Sequence, residues 1–142
     1  MKVTTSTKPI SATAIVRGWH FVDMKKQTLG RVANVIAKYL QGKGKVNYAP
    51  YLDAGDYVVV VNSKKATVTG RKNDSKMYSY YSGYPNGLRT INFKNLQDRN
   101  PNEIIRHAVS GMLPKNKLRD KRLARLYIFP DEQHPYADKI KK

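Results

Sequence analysis

Two segments repeat their apolar residues with the period of a helix. In "TLGRVANVIAKYLQG", Leu29, Val32, Ala33, Ile36 and Leu40 share one face at the roughly 3.6-residue spacing of an amphipathic helix. Thr28 is placed to cap its start and Gly42 to end it, leaving Arg31, Asn34 and Lys38 outward. In "NPNEIIRHAVSGML", Ile104, Ile105, Ala108, Val109 and Met112 line an inner face. Asn100 is the expected cap, Pro101 suits the first turn, Glu103 completes a capping box, and Pro114 stops the helix.

Strands read differently. "YVVVVN" at 57–62 is a continuous β-branched run, the pattern of a central strand buried on both faces. "WHFVD" (19–23) and "LYIF" are shorter strands, 66–69 and 76–81 weaker ones around the turn "GRKNDS", and "RTINF" another. "GKGKVNYAPYLDAGD" is a loop by its Gly and Pro, "KNKLRDKRLAR" a basic stretch with helical character, and "DEQHPYADKIKK" a polar tail. The order strand, helix, buried strand, helix, strand predicts an α/β layer structure. No internal repeat or low-complexity tract interrupts it. The expected organisation is an arm at 1–18, one α/β domain at 19–130 and a tail at 131–142.

Charge narrows the partners. The 142 residues carry 27 Lys+Arg against 10 Asp+Glu, a net +17 that repels itself until a polyanion neutralises it. Nucleic acid, an anionic membrane surface or an acidic protein would serve. No apolar run approaches the ~20 residues of a membrane span. The Ser/Thr-rich start lacks the apolar core of a signal peptide, so a soluble, cytoplasmic protein is expected. With no cysteine there is neither a disulfide framework nor a thiolate metal site. "NDS" at 73–75 fits a glycosylation sequon but carries no weight without a secretory signal.

The cations cluster in connecting segments. Between residues 24 and 47 six Lys/Arg occur with no acid, among them Arg31, Lys38, Lys43 and Lys45. Lys64, Lys65, Arg71, Lys72 and Lys76 bracket the turn between the middle strands. Lys115, Lys117, Arg119, Lys121, Arg122 and Arg125 follow the second helix, opposed only by Asp120. Any one cluster is explained by an ordinary solvated face. Three converging clusters point to a surface that follows a phosphate backbone.

Glycines and tyrosines accompany them. "GKGK" at 42–45 lacks the spacing of a P-loop, so its glycines are expected to let backbone N–H groups approach phosphates. "YSYYSGYPNGLR" (78–89) holds four tyrosines and no acid; Pro85 and Asn86 form a tight turn, with positive φ expected at Gly87. Tyr84, in the turn, is placed to stack on a base. For Tyr78 and Tyr80 two readings stand, a half-buried strand and a stacking surface.

An active site does not assemble. His20, His107 and His134 lack paired metal-ligand spacing, and no nucleophile motif is present. Asp53 and Asp56 are a possible carboxylate pair, but they read better as a turn cap and a lead into the strand. Gly111, late in its helix, is expected to permit close packing or docking.

Four stretches in order, "QTLGRVANVIAKYLQGK", "DAGDYVVVVNSKKATVTGRK", "SGYPNGLR", and "AVSGMLPKNKL" followed by "LYIF", resemble the bacterial-type ribosomal large-subunit protein thirteen family over residues 19–136. The resemblance implies a structural component of the large subunit that binds its large rRNA directly and early in assembly, beside neighbouring ribosomal proteins. It implies a three-layer α/β fold with a mainly parallel four-stranded sheet, flanking helices and long basic loops. It also implies no catalytic role, no cofactor and no small-molecule substrate. RNA contact carries over to Gly83, Tyr84, Pro85, Gly87 and Arg89, and to Met112, Leu113, Pro114 and Lys115; for Met112 and Leu113 a core role stands equally. The chain departs from the family pattern at Tyr51, at Asn86 and over 116–119, and asparagine at 86 still suits the turn. An RNA-modifying enzyme, an unselective nucleic-acid binder and a peripheral membrane protein are the competing readings.

Overall fold

The computed structural model describes residues 11–25 and 27–140. Its centre is a parallel sheet of three strands, β1 (Trp19–Asp23), β2 (Tyr57–Val61) and β5 (Leu126–Ile128), with β2 in the middle. Trp19 pairs with Tyr57 on one side and Val58 with Leu126 on the other. The valine run is therefore buried on both faces, as its continuous β-branching requires: Val58, Val59, Val60 and Val61 are fully buried.

On one face Val58 and Val60 pack with α1 (Leu29–Gln41) and α4 (Pro101–Met112) in a core that includes Ile36, Leu40, Ile104 and Ile105. The other face is aromatic. Trp19 stacks on Tyr57 at 4.5 Å between ring centroids, and Tyr136, from the tail before α6 (Ala137–Ile140), covers Trp19 at 5.1 Å and Tyr127 at 4.6 Å.

The helix ends lie where the sequence places them, with different chemistry. Neither Thr28 nor Asn100 makes a side-chain cap; the Leu29 N–H instead donates to the Thr67 carbonyl at 2.8 Å. Thr28 and Thr67 form a single parallel bridge, which is all the strand structure residues 66–69 achieve. Gly42 closes α1 in the left-handed region (φ 76°), and a side chain there would strike the Ala54 carbonyl. Its glycine is a requirement of the fold, not a phosphate cradle.

The expected four-stranded sheet is not formed. Residues 77–81 do not join β2; β3 (Met77–Tyr81) and β4 (Leu88–Asn92) pair antiparallel as a separate hairpin, Tyr78 opposite Ile91. The tight turn at Pro85–Asn86 brings 88–92 back onto 77–81 and satisfies that edge locally. Phe93, read as the end of a strand, instead begins α3 (Phe93–Arg99), burying itself and Leu96. Two further short helices, α2 (Lys72–Ser75) and α5 (Leu118–Leu123), complete the chain.

Two carboxylates pin the long loops. Asp56 accepts hydrogen bonds from the Gly18 N–H at 2.8 Å, from His20 Nε2 at 2.9 Å and from Lys45 Nζ. Burial alone would raise its pKa, but the bonds from Lys45, His20 and Gly18 outweigh that and hold it below the ordinary aspartate value. Asp53 receives a two-pronged pair from Arg125 at 2.6 and 2.5 Å, with Arg122 Nε 3.7 Å and Arg17 Nη1 3.8 Å away. Neither carboxylate is left free for acid–base work.

Candidate nucleic-acid interface

Three distant segments enclose a groove of about 540 Å³: the first turn of α1, residues 68–76, and the last turns of α4. Because Leu29, Val32 and Ala33 face the core, α1 turns Arg31 outward into it. The single turn of α2 presents Lys72, closed by the Lys76 N–H donating to the Lys72 carbonyl at 3.1 Å. Burial of Ile104, Ile105 and Val109 leaves His107, Gly111 and Met112 of α4 on the groove. Arg31, Lys72 and Lys76 are its formal charges, and no carboxylate lines it. The positive end of the α1 dipole points the same way, with no acid in the first turn to offset it.

Two groove residues are glycines that the fold does not need. A Cβ built on Gly30 or Gly111 meets nothing within 4 Å, and neither residue has a positive φ. Glycine within a helix is about 0.5–1 kcal/mol less favourable than alanine. Of the two roles expected of Gly111, close packing is ruled out: the residue opens onto the groove, bringing bare helix backbone to the surface beside three cations, which leaves docking.

The hairpin extends this face. The Gly87 N–H donates to the Tyr84 carbonyl at 2.9 Å, closing a turn with Pro85 second and Asn86 third. Asn86 has the positive φ (58°) that a type II turn demands at that place, and Gly83 is also left-handed (φ 87°). Positive φ thus falls at Gly83 and Asn86 rather than Gly87, whose missing side chain makes room for Ser82 and the Tyr84 carbonyl. At the tip Tyr84 is 74% exposed, with Tyr80, Tyr81 and Leu88 also open. Beneath the hairpin, against α3 and α4, lies a second cavity of about 740 Å³ that includes Tyr78, Arg89 and His107. His107 lines both hollows, and Ser82 and Gly87 carry the lining of the second to the base of the turn.

A family model described as Ribosomal protein L13 matches residues 17–135. The chain belongs to the ribosomal protein L13 family. It is 47% identical over 123 residues to the large ribosomal subunit protein uL13 of Clostridioides difficile (strain 630), an overlap of 87% of this chain and 86% of that protein. The protein of the same name from Roseiflexus castenholzii (strain DSM 13941 / HLO8) is 45% identical over 126 residues, 89% of this chain and 86% of its own. That of Microchaete diplosiphon is 46% identical over 124 residues, 87% and 82%. A ribosomal protein of this family is structural rather than catalytic, which removes the modifying-enzyme reading. Among the described residues no helix is long and apolar enough to cross a membrane, and no three His, Cys, Asp or Glu gather as a metal site.

For an L13-family chain with this fold, the sequence-derived residues divide by position. Arg31, Lys38, Lys43, Arg71, Lys72, Gly83, Tyr84, Pro85, Arg89, Met112, Pro114, Lys115, Lys117 and Lys121 are exposed, with Gly87 and Arg119 partly so. Arg122 and Arg125 are corrected from surface to interior, 2% and 8% exposed beside Asp53. Leu113 is buried in the core, whereas Met112 faces out. Lys45 is half-buried, held by Asp56 and by the Val16 and Ala54 carbonyls at 2.7 and 3.0 Å. Tyr78 and Tyr80 both lie on β3, as the strand reading expects, but only Tyr78 is buried. Lys26 and the arm residues 1–10 lie outside the described residues. Lys76 belongs to a cation cluster visible in the sequence, whereas His107 is placed on the groove only by the folded proximity of α2, β3 and α4.

Proposed function

We propose that this protein is a structural component of the large ribosomal subunit that binds its large rRNA directly, through the face running from the α1–α4 groove to the hairpin tip. The observation that carries this reading is the acid-free groove in which Gly30 and Gly111 bare the helix backbone beside Arg31, Lys72 and Lys76. A phosphodiester chain needs close approach and fixed positive charge, and both are supplied there. Tyr84 and Arg89 at the hairpin offer a ring for sugar or base and a cation for phosphate. Lys115, Lys117 and Lys121 extend the charge beyond α4.

Action early in assembly fits the same features. A net charge of +17 is most strongly relieved by RNA itself, so protein-free rRNA is a sufficient first partner. Neighbouring ribosomal proteins then meet the assembled complex. The test is sedimentation of a lysate at moderate and high salt while following this chain. Stoichiometric migration with the large subunit that survives high salt is expected; a chain free at the top of the gradient, or stripped as soon as salt rises, contradicts the proposal.

A further inference from the structure

The cavity under the hairpin has a chemistry of its own. Its floor is apolar, made by the Tyr78 ring, its cross-strand partner Ile91, and Leu96 of α3. His107 meets the Tyr78 ring edge-on at 5.2 Å (86° between planes) and Lys76 Nζ stands 5.4 Å from the ring centroid, so the ring is fixed from two sides. The rim is charged, with Arg89 from β4, Arg99 at the end of α3 and Glu103 in the first turn of α4. An apolar floor with a few convergent polar groups is the general form of a small-ligand site.

Two groups of the lining residues have no partner among the described residues. The Tyr78 hydroxyl is buried with no hydrogen-bond partner, in a residue only 8% exposed. Such a group is destabilising unless something satisfies it. The two other buried side-chain atoms in that state are the Nε of Arg122 and of Arg125, both beside Asp53. Glu103 is the one carboxylate of the lining, and it has no ion-pair partner among the described residues. Glu103 sits in the first turn of α4, where the helix dipole favours a carboxylate, and without an ion pair its oxygens are open to donors in the cavity.

We propose that this cavity seats one unpaired guanine of the bound RNA, its ring on the Tyr78–Ile91–Leu96 floor, its N1–H and N2–H groups given to Glu103, and its acceptor edge facing Arg89 and Arg99. The inference rests on direct RNA binding by this face and adds base selectivity to it. Guanine alone has two adjacent donors on its Watson–Crick edge to match the two oxygens of a carboxylate. Adenine and cytosine would set a ring-nitrogen lone pair against one of those oxygens, and uracil would set a carbonyl there. The volume of about 740 Å³ leaves room for the base and its sugar. Recognition of a splayed base on an aromatic floor is how single-stranded RNA is commonly read.

The experiment is fluorescence anisotropy at fixed, near-physiological salt, with the full chain and oligouridines carrying one central guanine, inosine or adenine. The guanine oligomer is expected to bind about tenfold more tightly than the adenine one, with inosine, which lacks the 2-amino group, between them. Glu103→Gln removes the charge at the same size; it should abolish the preference for guanine, with adenine-oligomer affinity unchanged or raised by the loss of a negative charge. Base-indifferent, salt-sensitive binding, or a guanine preference that survives Glu103→Gln, overturns the pocket and leaves the RNA face standing. Absence of binding to every oligomer overturns both.

Discussion

Asp56 shows at the scale of one residue how a basic chain uses its few acids. It is 8% exposed in its side chain and joins the segment before β1, the strand itself and the "GKGK" loop through Gly18, His20 and Lys45. The sequence marks Asp56 as a lead into β2, which it is, but the three partners come from segments whose proximity only the fold creates. Its pKa is held below the ordinary aspartate value, so the folded state binds this proton less readily than the unfolded one. The stabilisation is therefore complete above the unfolded value and is lost as pH falls through the lower, folded one. Asp56→Asn should destabilise the protein at neutral pH by about 1–3 kcal/mol, because the half-buried Lys45, His20 and the Gly18 N–H lose their charged acceptor. Thermal unfolding of both proteins at neutral pH and below pH 3.8 checks this: the difference in Tm should close in acid, and a constant difference would refute the assignment. Arg122 and Arg125 teach the complementary point. Their composition reads as surface charge, yet Asp53, 72 residues before Arg125, draws them inside. No local pattern announces such a pairing.

At the scale of elements, periodicity was informative where it ran long. α1 and α4 display their buried stripes over 13 and 12 residues, and the valine run of β2 is buried throughout. α3 escaped because seven residues with two buried positions, Phe93 and Leu96, hardly establish a period. The hairpin was legible in its turn chemistry, since Pro-Asn fixes the type II geometry, but not in its pairing, because strands 77–81 and 88–92 carry weak alternation. The groove could not be read at all, as it exists only where α1, α2 and α4 meet. Its helix glycines give a prediction in which stability and binding move oppositely. Gly30→Ala and Gly111→Ala should each stabilise the free protein by about 0.5–1 kcal/mol, because alanine is the better helix former and the space is open. Each should also weaken binding to the large rRNA, because the methyl group stands where a backbone phosphate approaches. Chemical denaturation and an rRNA binding isotherm on the same preparations test it; stabilisation with unchanged affinity would show that the glycines face solvent alone.

Across the whole molecule the charge is uneven in kind. The groove and the hairpin tip carry cations without acids, whereas the tail side interleaves them: Lys25 pairs with Glu132 at 3.4 Å, Lys64 with Asp131 at 3.1 Å, and Lys139 lies over the Trp19 ring with Asp138 beside it in sequence. A binder held by diffuse charge would be indifferent to which lysines it lost; a binder with a face would not. The decisive measurement is the affinity for protein-free large rRNA of two triple variants of equal net charge, Arg31→Ala/Lys72→Ala/Arg89→Ala on the face and Lys25→Ala/Lys64→Ala/Lys139→Ala away from it. Loss of one phosphate contact per residue should lower the salt slope of the first variant by about 0.7–0.9 for each, with affinity falling accordingly, while the second stays close to the parent protein. Equal losses in both variants would contradict a defined RNA-binding face.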